Sequence, residues 1–289
     1  MDARSRALKV LCLSDPAEKA AAAGALFESA GQGLALDETA RLERPPGLPG
    51  RPTKPMLVPT LQVPKRSPFT VDGRAALIHA IAHIEFNAIN LALDAVWRFA
   101  GMPREFYLDW LQVAAEEALH FGLLHEHLQS LGFRYGDFDA HDGLWTMAEK
   151  TADDVLARMA LVPRTLEARG LDATPPLQAK LARAGDARAV EILDIILRDE
   201  VGHVRIGNRW YRHLCRERGL DPVALYPQLV ARYEAPRLRP PFNLAAREAA
   251  GFSAEELAYL SEPPDLSPSA RPPEEAQVNL GRPCVDSRS

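Results

Sequence analysis

The stretch "EILDIILRDEVGHVRIGNRWY", residues 191–211, contains a contradiction. Its apolar residues recur at the period of an amphipathic helix, with Leu193, Ile196, Leu197, Val204 and Trp210 along one stripe. Glu200 and His203 fall on that same stripe. A carboxylate buried without a partner is strongly unfavourable, so it must be neutralised, paired or bound to metal.

The spacing narrows the choice. Glu-x-x-His places both side chains on one helix face about a turn apart, within reach of one ion. Of the eight histidines, only His120 and His203 follow a glutamate by three positions, Glu117 and Glu200. Chance would give about 0.6 such pairs, so two carry more weight than one. Trp110, Val113, Leu124 and Leu131 share the face of the first motif. An acidic residue precedes each motif, Glu116 and Asp199, suited to orienting an imidazole from behind. Each motif also has a glutamate one helix upstream: Glu85, 32 residues before Glu117, and Glu167, 33 residues before Glu200.

The chain therefore reads twice as Glu, some thirty residues, then acid-Glu-x-x-His. That is the pattern of ferritin-like di-iron and di-manganese carboxylate bundles. The candidate ligands are Glu85, Glu117, His120, Glu167, Glu200 and His203. Four carboxylates and two imidazoles neutralise two divalent ions, suit iron or manganese, and leave positions for O₂ or substrate. The alternative is a buried network of Glu–His and Glu–Arg pairs, with Arg98, Arg164 and Arg205 as counter-ions. It accounts for one motif but not for the near-equal spacings.

Around the motifs the chain reads as all-α. The 3.6-residue pattern predicts helices near 72–100, 104–131, 147–169 and 184–218, forming one four-helix bundle. Gly101-Met102-Pro103 separates the first two. The third is expected to stop at Gly170, before "LDATPP", with a kink or local widening at Pro163. Upstream lie a short Ala-rich helix ended by Gly31 and a proline-dense stretch, 44–68, that excludes a helix or central strand. Three regions follow: an N-terminal helix and extended arm over 1–70, the bundle over 71–220, and an extension over 221–289. The extension holds a short helix near 253–260 and an end whose composition predicts disorder.

At 289 residues, 47% hydrophobic and 25% charged, the composition is that of a soluble globular protein. The net charge of −5 gives no electrostatic footprint for nucleic acid. Three scattered cysteines fit neither a disulfide framework nor a zinc motif, and a reducing, cytoplasmic location is expected. No apolar run reads as a membrane span, and the N-terminal apolar stretch is too short for a signal peptide. His79 and His83 face Asn87, Asn90 and Asp94, as in a hydrogen-bonded helix interface. His127 is expected to cap or to face solvent, His141 to be structural, and Arg205 to pair with Asp199 or a glutamate.

The stretches "GRAALIHAIAHIEFNAINLALDAVWRFAGMPREFYLDWLQVAAEEALHF", "GDFDAHDGLW", "RMALVPRTLEARGLDATP" and "ILRDEVGHV" resemble an uncharacterised bacterial family of ferritin-like proteins, catalogued as domain of unknown function 455. The likeness extends over most of the chain, including the "FNLAAREAAGF" tail. It implies a ferritin-like fold and a metal site, with no established reaction. By resemblance to ferritin-like proteins, Glu117 and Glu200 bridge two metals, Glu85 and Glu167 are terminal ligands, and His120 and His203 serve one metal each. Pro163 departs from a ferritin helix and puts the reach of Glu167 in question.

The expectation is an O₂-dependent oxidoreductase or hydroxylase holding two iron ions, or manganese, and acting on a small molecule. It would be a monomer or small homo-oligomer. An RNA substrate fits the acidic chain poorly. Iron storage and a purely structural metal are the competing readings, and the proline-rich flanks argue against a storage-cage subunit.

Overall fold

A computed structural model describes residues 1–64 and 66–261. Eleven α-helices account for most of this span. No strand occurs among the described residues; the one β feature is an isolated parallel bridge between Leu57 and Ala140. The expected disorder at the C-terminal end falls outside the described residues.

Two helices precede the bundle, α1 (Ala3–Leu11) and α2 (Pro16–Gly31). Sequence reading anticipated α2 and missed α1, whose short apolar stretch carries little periodic signal. The first bundle helix, α3 (Val71–Arg98), starts where Thr70 Oγ1 accepts from the Gly73 amide at 3.1 Å. Gly73 is required there, because a Cβ would sit 1.7 Å from the Ser67 carbonyl oxygen. Helix α3 is buried nearly all round over its middle, with polar residues such as Glu85 and Asp94 among the apolar ones, and α1, α2, α4 (Arg104–Ser130) and α5 (Gly143–Lys150) pack about it. It is long and apolar enough to cross a membrane, which the sequence reading denied of any segment. Yet 78% of its most apolar window is buried within the protein, as befits a core helix.

The C-terminal carbonyls of α3 find an unexpected donor. Arg4, fully buried, donates to Trp97 O (2.7 Å), Val96 O (3.1 Å) and Ala40 O (2.6 Å). One guanidinium thus satisfies helix-end acceptors and the chain that crosses over them.

The third bundle element differs most from expectation. A turn at 151–154 separates α5 from α6 (Val155–Leu161), which Asp154 caps. A π-helical turn, Val162–Glu167, follows, with Ala168 N bonding to Pro163 O at 3.0 Å. The predicted local widening at Pro163 takes this form. The chain does not stop at Gly170. It continues as α7 (Arg169–Arg183), with Pro175 and Pro176 inside the helix. Proline at 175 cannot donate to the carbonyl of Leu171, and Asn243 Nδ2 donates to it instead at 3.2 Å. A side chain from the far end of the sequence thus meets one of the needs that a proline pair creates, and local rules could not foresee it.

The fourth element is α8 (Ala187–Glu217), which packs on α4, α6 and α7. Asp186 caps it and also takes His127 Nε2 at 2.9 Å. His127 is therefore a buried tie between α4 and the α8 cap, not a surface or capping histidine. Beyond the bundle lie α9 (Pro222–Arg232), α10 (Leu244–Ala249) and α11 (Ala254–Ser261).

Candidate metal centre

Each motif helix presents its carboxylate and imidazole inward, because both lie on the buried stripe of a long helix. Glu117 and His120 on α4 and Glu200 and His203 on α8 are buried, as are Glu85 on α3 and Glu167 at the end of the π turn. Two groups of donors have ligand atoms within 4.8 Å of one another: Glu85 with Glu117 and His120, and Glu117 with Glu200 and His203. Buried Glu/His groupings of this kind could hold metal. Glu117 belongs to both, whereas Glu200 joins one and Glu167 neither.

The two oxygens of Glu117 divide their attention. Oε2 lies 3.4 Å from His120 Nδ1, which is also 3.2 Å from Glu85 Oε2. Oε1 lies 3.0 Å from His203 Nδ1, which is 3.9 Å from Glu200 Oε2. Four of these inward atoms make no hydrogen bond: Glu117 Oε1, Glu167 Oε2, Glu200 Oε2 and His203 Nδ1. The close pair of Glu117 Oε1 and His203 Nδ1 lacks hydrogen-bond geometry despite its short distance. Buried acceptors without donors are costly, and native proteins keep few of them. The convergence of Glu117, Glu200 and His203 fits a divalent cation, which takes lone pairs rather than protons.

The outer imidazole nitrogens are fixed in a crossed pattern. His120 Nε2 meets Asp199 Oδ2 at 3.1 Å, and His203 Nε2 meets Glu116 Oε2 at 2.7 Å. The acidic residue before each motif therefore orients the imidazole of the other motif. A carboxylate at Nε2 holds a ring proton there, so that loss of the Nδ1 proton would turn a lone pair of a neutral imidazole inward.

Electrostatics tell the same story. Burial pushes the Glu85 carboxyl up to about 8, and the neighbouring Glu117 charge adds to the rise. Burial and Glu117 likewise push Glu167 up to about 8 and raise Glu200. Burial opposes a charge on Glu117 too, but His203 and hydrogen bonding with His120 hold it below the usual carboxylate range. For His120, burial is outweighed by hydrogen bonds and charge from Glu117 and Glu85, which push it up to about 12. In the absence of metal, protons stand in for cations. A site that favours protons in a dry interior carries negative charge that a bound cation could offset.

The proposed arginine counter-ions are elsewhere. Arg98 pairs with Asp94, Arg164 with Glu256, and Arg205 donates to Ala249 O. Asp199 pairs with Arg198 and His120, leaving Arg205 no part in it. The histidines read as structural behave as such. His83 contacts the Tyr135 hydroxyl at 2.8 Å, and His79 Nε2 accepts from Gly136 N at 2.9 Å. Sequence reasoning missed Arg247 and Glu256, which reach the Glu167 turn from α10 and α11. Neither carries any local motif.

The chain belongs to the DUF455 family. The family model, described as "Protein of unknown function (DUF455)", matches residues 12–258, including all six inward residues. An uncharacterised protein of Haemophilus influenzae is 56% identical over 218 residues, covering 73% of this chain and 76% of the relative. No solved structure matches the chain.

Proposed function

We propose that this DUF455 member is a ferritin-like dinuclear metal carboxylate protein, holding two iron ions and using O₂ to oxidise a small organic substrate. The observation that carries this reading is Glu117, whose two oxygens face two different imidazoles inside a cluster of buried acceptors without donors. Glu85 and His120 would hold one ion, and Glu200, His203 and Glu167 the other, with Glu117 shared. When bound, such a pair of ions supplies redox equivalents and Lewis acidity for O₂ chemistry.

The residues of the chain do the remaining work. Asp199 and Glu116 hold the Nε2 protons of His120 and His203, so both imidazoles enter as neutral donors. The apolar shell, including Ile196, Val204 and Phe121, excludes water and strengthens each electrostatic contact inside. Glu85 and Glu167, whose carboxyls burial pushes up to about 8 in the metal-free chain, would give up their protons as ions bind.

The test is anaerobic loading with Fe(II), desalting and elemental analysis of the natural protein beside Glu117→Ala, with O₂ uptake as a second readout. Two ions per chain, uptake of O₂ by the loaded protein, and loss of both ions in the variant are expected. Saturation far above two ions would favour storage. No retained ion in the folded natural protein would leave a helical bundle whose carboxylates and imidazoles serve only each other.

A further inference from the structure

The Glu167 half of the centre is built differently from the Glu85 half. Glu85 sits within a continuous helix, whereas Glu167 ends a π turn between two α-helical pieces. A π turn gives up regular hydrogen bonds, so its geometry depends on what holds it from outside. Residues 243–256 hold it from both sides. On one side Arg164, three residues before Glu167, donates to Glu256 Oε1 at 2.5 Å and to Asn208 Oδ1 at 2.9 Å. Its guanidinium lies over Phe252, 5.0 Å from the ring centre. On the other side Arg247, fully buried, donates to Asp172 Oδ2 at 2.6 Å and to the Ala168 carbonyl at 3.3 Å. Asn243 meets the carbonyl that Pro175 leaves without a partner.

These are polar contacts in a dry place. Buried ion pairs are poor stabilisers compared with apolar packing of the same volume, and their best-attested value is in fixing one geometry. Here every one of them grips the short span 164–172 that presents Glu167.

We infer that the C-terminal segment carrying Arg247 and Glu256 is a clamp that positions Glu167, so that one of the two metal sites depends on it and the other does not. Arg247 and Glu256 are positioning residues; neither belongs to the inward cluster. This inference rests on the dinuclear reading above and adds an asymmetry that the sequence repeat conceals. The apparent symmetry of Glu85 and Glu167 hides one site supported by its own helix and one supported from the far end of the chain.

The experiment is anaerobic titration with Co(II) followed by calorimetry, on the full chain and on Glu167→Ala, Glu256→Ala, Arg247→Met and Arg51→Met. Arg51 pairs with Asp142 at 2.7 Å, away from the clamp, and its variant reports on loss of an ion pair in general. The natural chain should bind two ions. Glu256→Ala and Arg247→Met should weaken one ion by about tenfold or more, as Glu167→Ala does, and leave the other within about twofold. Arg51→Met should leave both unchanged.

Equal weakening of both ions, or two unchanged affinities in the clamp variants, overturns the clamp while leaving the centre standing. Fewer than two ions in the natural chain overturns the centre and the clamp with it. If circular dichroism shows Glu256→Ala unfolded, the Arg164→Met/Glu256→Leu double variant, which removes both partners of the buried pair and leaves only the partly exposed Arg212 without Glu256, is read in the same titration by the same criteria.

Discussion

The crossed pairing of Asp199 with His120 and of Glu116 with His203 means that sequence neighbours do not serve the same half of the centre. Asp199 precedes Glu200 but supports the half that contains Glu85. Orienting carboxylates behind ligand imidazoles are commonly worth about 10- to 100-fold in metal affinity. Asp199→Ala should therefore weaken one ion by about that factor. In double-mutant cycles read by Co(II) affinity it should couple with Glu85→Ala and not with Glu200→Ala. Coupling to Glu200→Ala instead would mean that the imidazoles are ordered within their own motifs and that the crossed contacts are incidental. The burial of these six side chains was legible: the helix period and the Glu-x-x-His spacing converge on Glu117, His120, Glu200 and His203, and the upstream offsets of 32 and 33 residues point to Glu85 and Glu167. Which carboxylate orients which imidazole was not legible. That depends on how α4 and α8 lie against each other, a matter of packing rather than of either helix.

At the scale of elements, two glycines in α8 separate local preference from contact. Gly207 faces the π turn, where an added Cβ would lie 2.7 Å from Pro163 Cβ and 2.8 Å from its Cγ. Ring atoms cannot rotate aside, so Gly207→Ala should cost about 1–3 kcal/mol in denaturant unfolding, as overpacking does. Gly202 has nothing within 4 Å of the same added atom. Gly202→Ala should gain about 0.5–1 kcal/mol from helix propensity alone. The helices whose ends rest on local signals, α3 and α8 with their Thr70 and Asp186 caps, were readable to within a few residues. The α6–α7 element was not. Its continuation through Pro175 depends on Asn243, and its π turn on the close approach that Gly207 allows.

The junction of α2 with α3 gives a pH prediction at the same scale. Lys19 is fully buried, with its Nζ donating to Gly50 O at 2.7 Å and Asn90 Oδ1 at 2.5 Å. Burial first, then the Arg51 charge, lowers its pKa from 10.5 to about 7. Between those values the folded chain binds fewer protons than the unfolded one, so stability contributed by this group rises with pH from about 7 to 10.5. Below pH 7 the full cost of burying the ammonium is present. Subtracting the unfolding free energies of Lys19→Met from those of the natural chain should reveal this rise, on the order of 3–5 kcal/mol. A flat difference would show that the hydrogen bonds keep Lys19 charged throughout.

For the whole molecule, ions held by the cluster of buried carboxylates, as proposed, would make metal and fold one thermodynamic system. Ions that bind the folded chain and not the unfolded one stabilise it by mass action, about 2.7 kcal/mol for a site at a hundred times its dissociation constant. In a chain of this size each kcal/mol moves the melting midpoint by about 2–4 °C. Two sites filled at that excess should raise the midpoint by roughly 10–20 °C, and the rise should flatten toward acid as protons compete for Glu85, Glu167 and Glu200. Glu117→Ala should abolish most of the rise, since it belongs to both donor groups. Its metal-free melting should lie below that of the metal-free natural protein, because removing Glu117 strands the two buried imidazoles, His120 and His203, that it pairs with. A midpoint in the natural chain that ignores saturating Co(II) would reverse the argument. The carboxylate would then be holding the fold through its imidazole partners, and the two helices that face each other across it would owe their register to that network rather than to an ion.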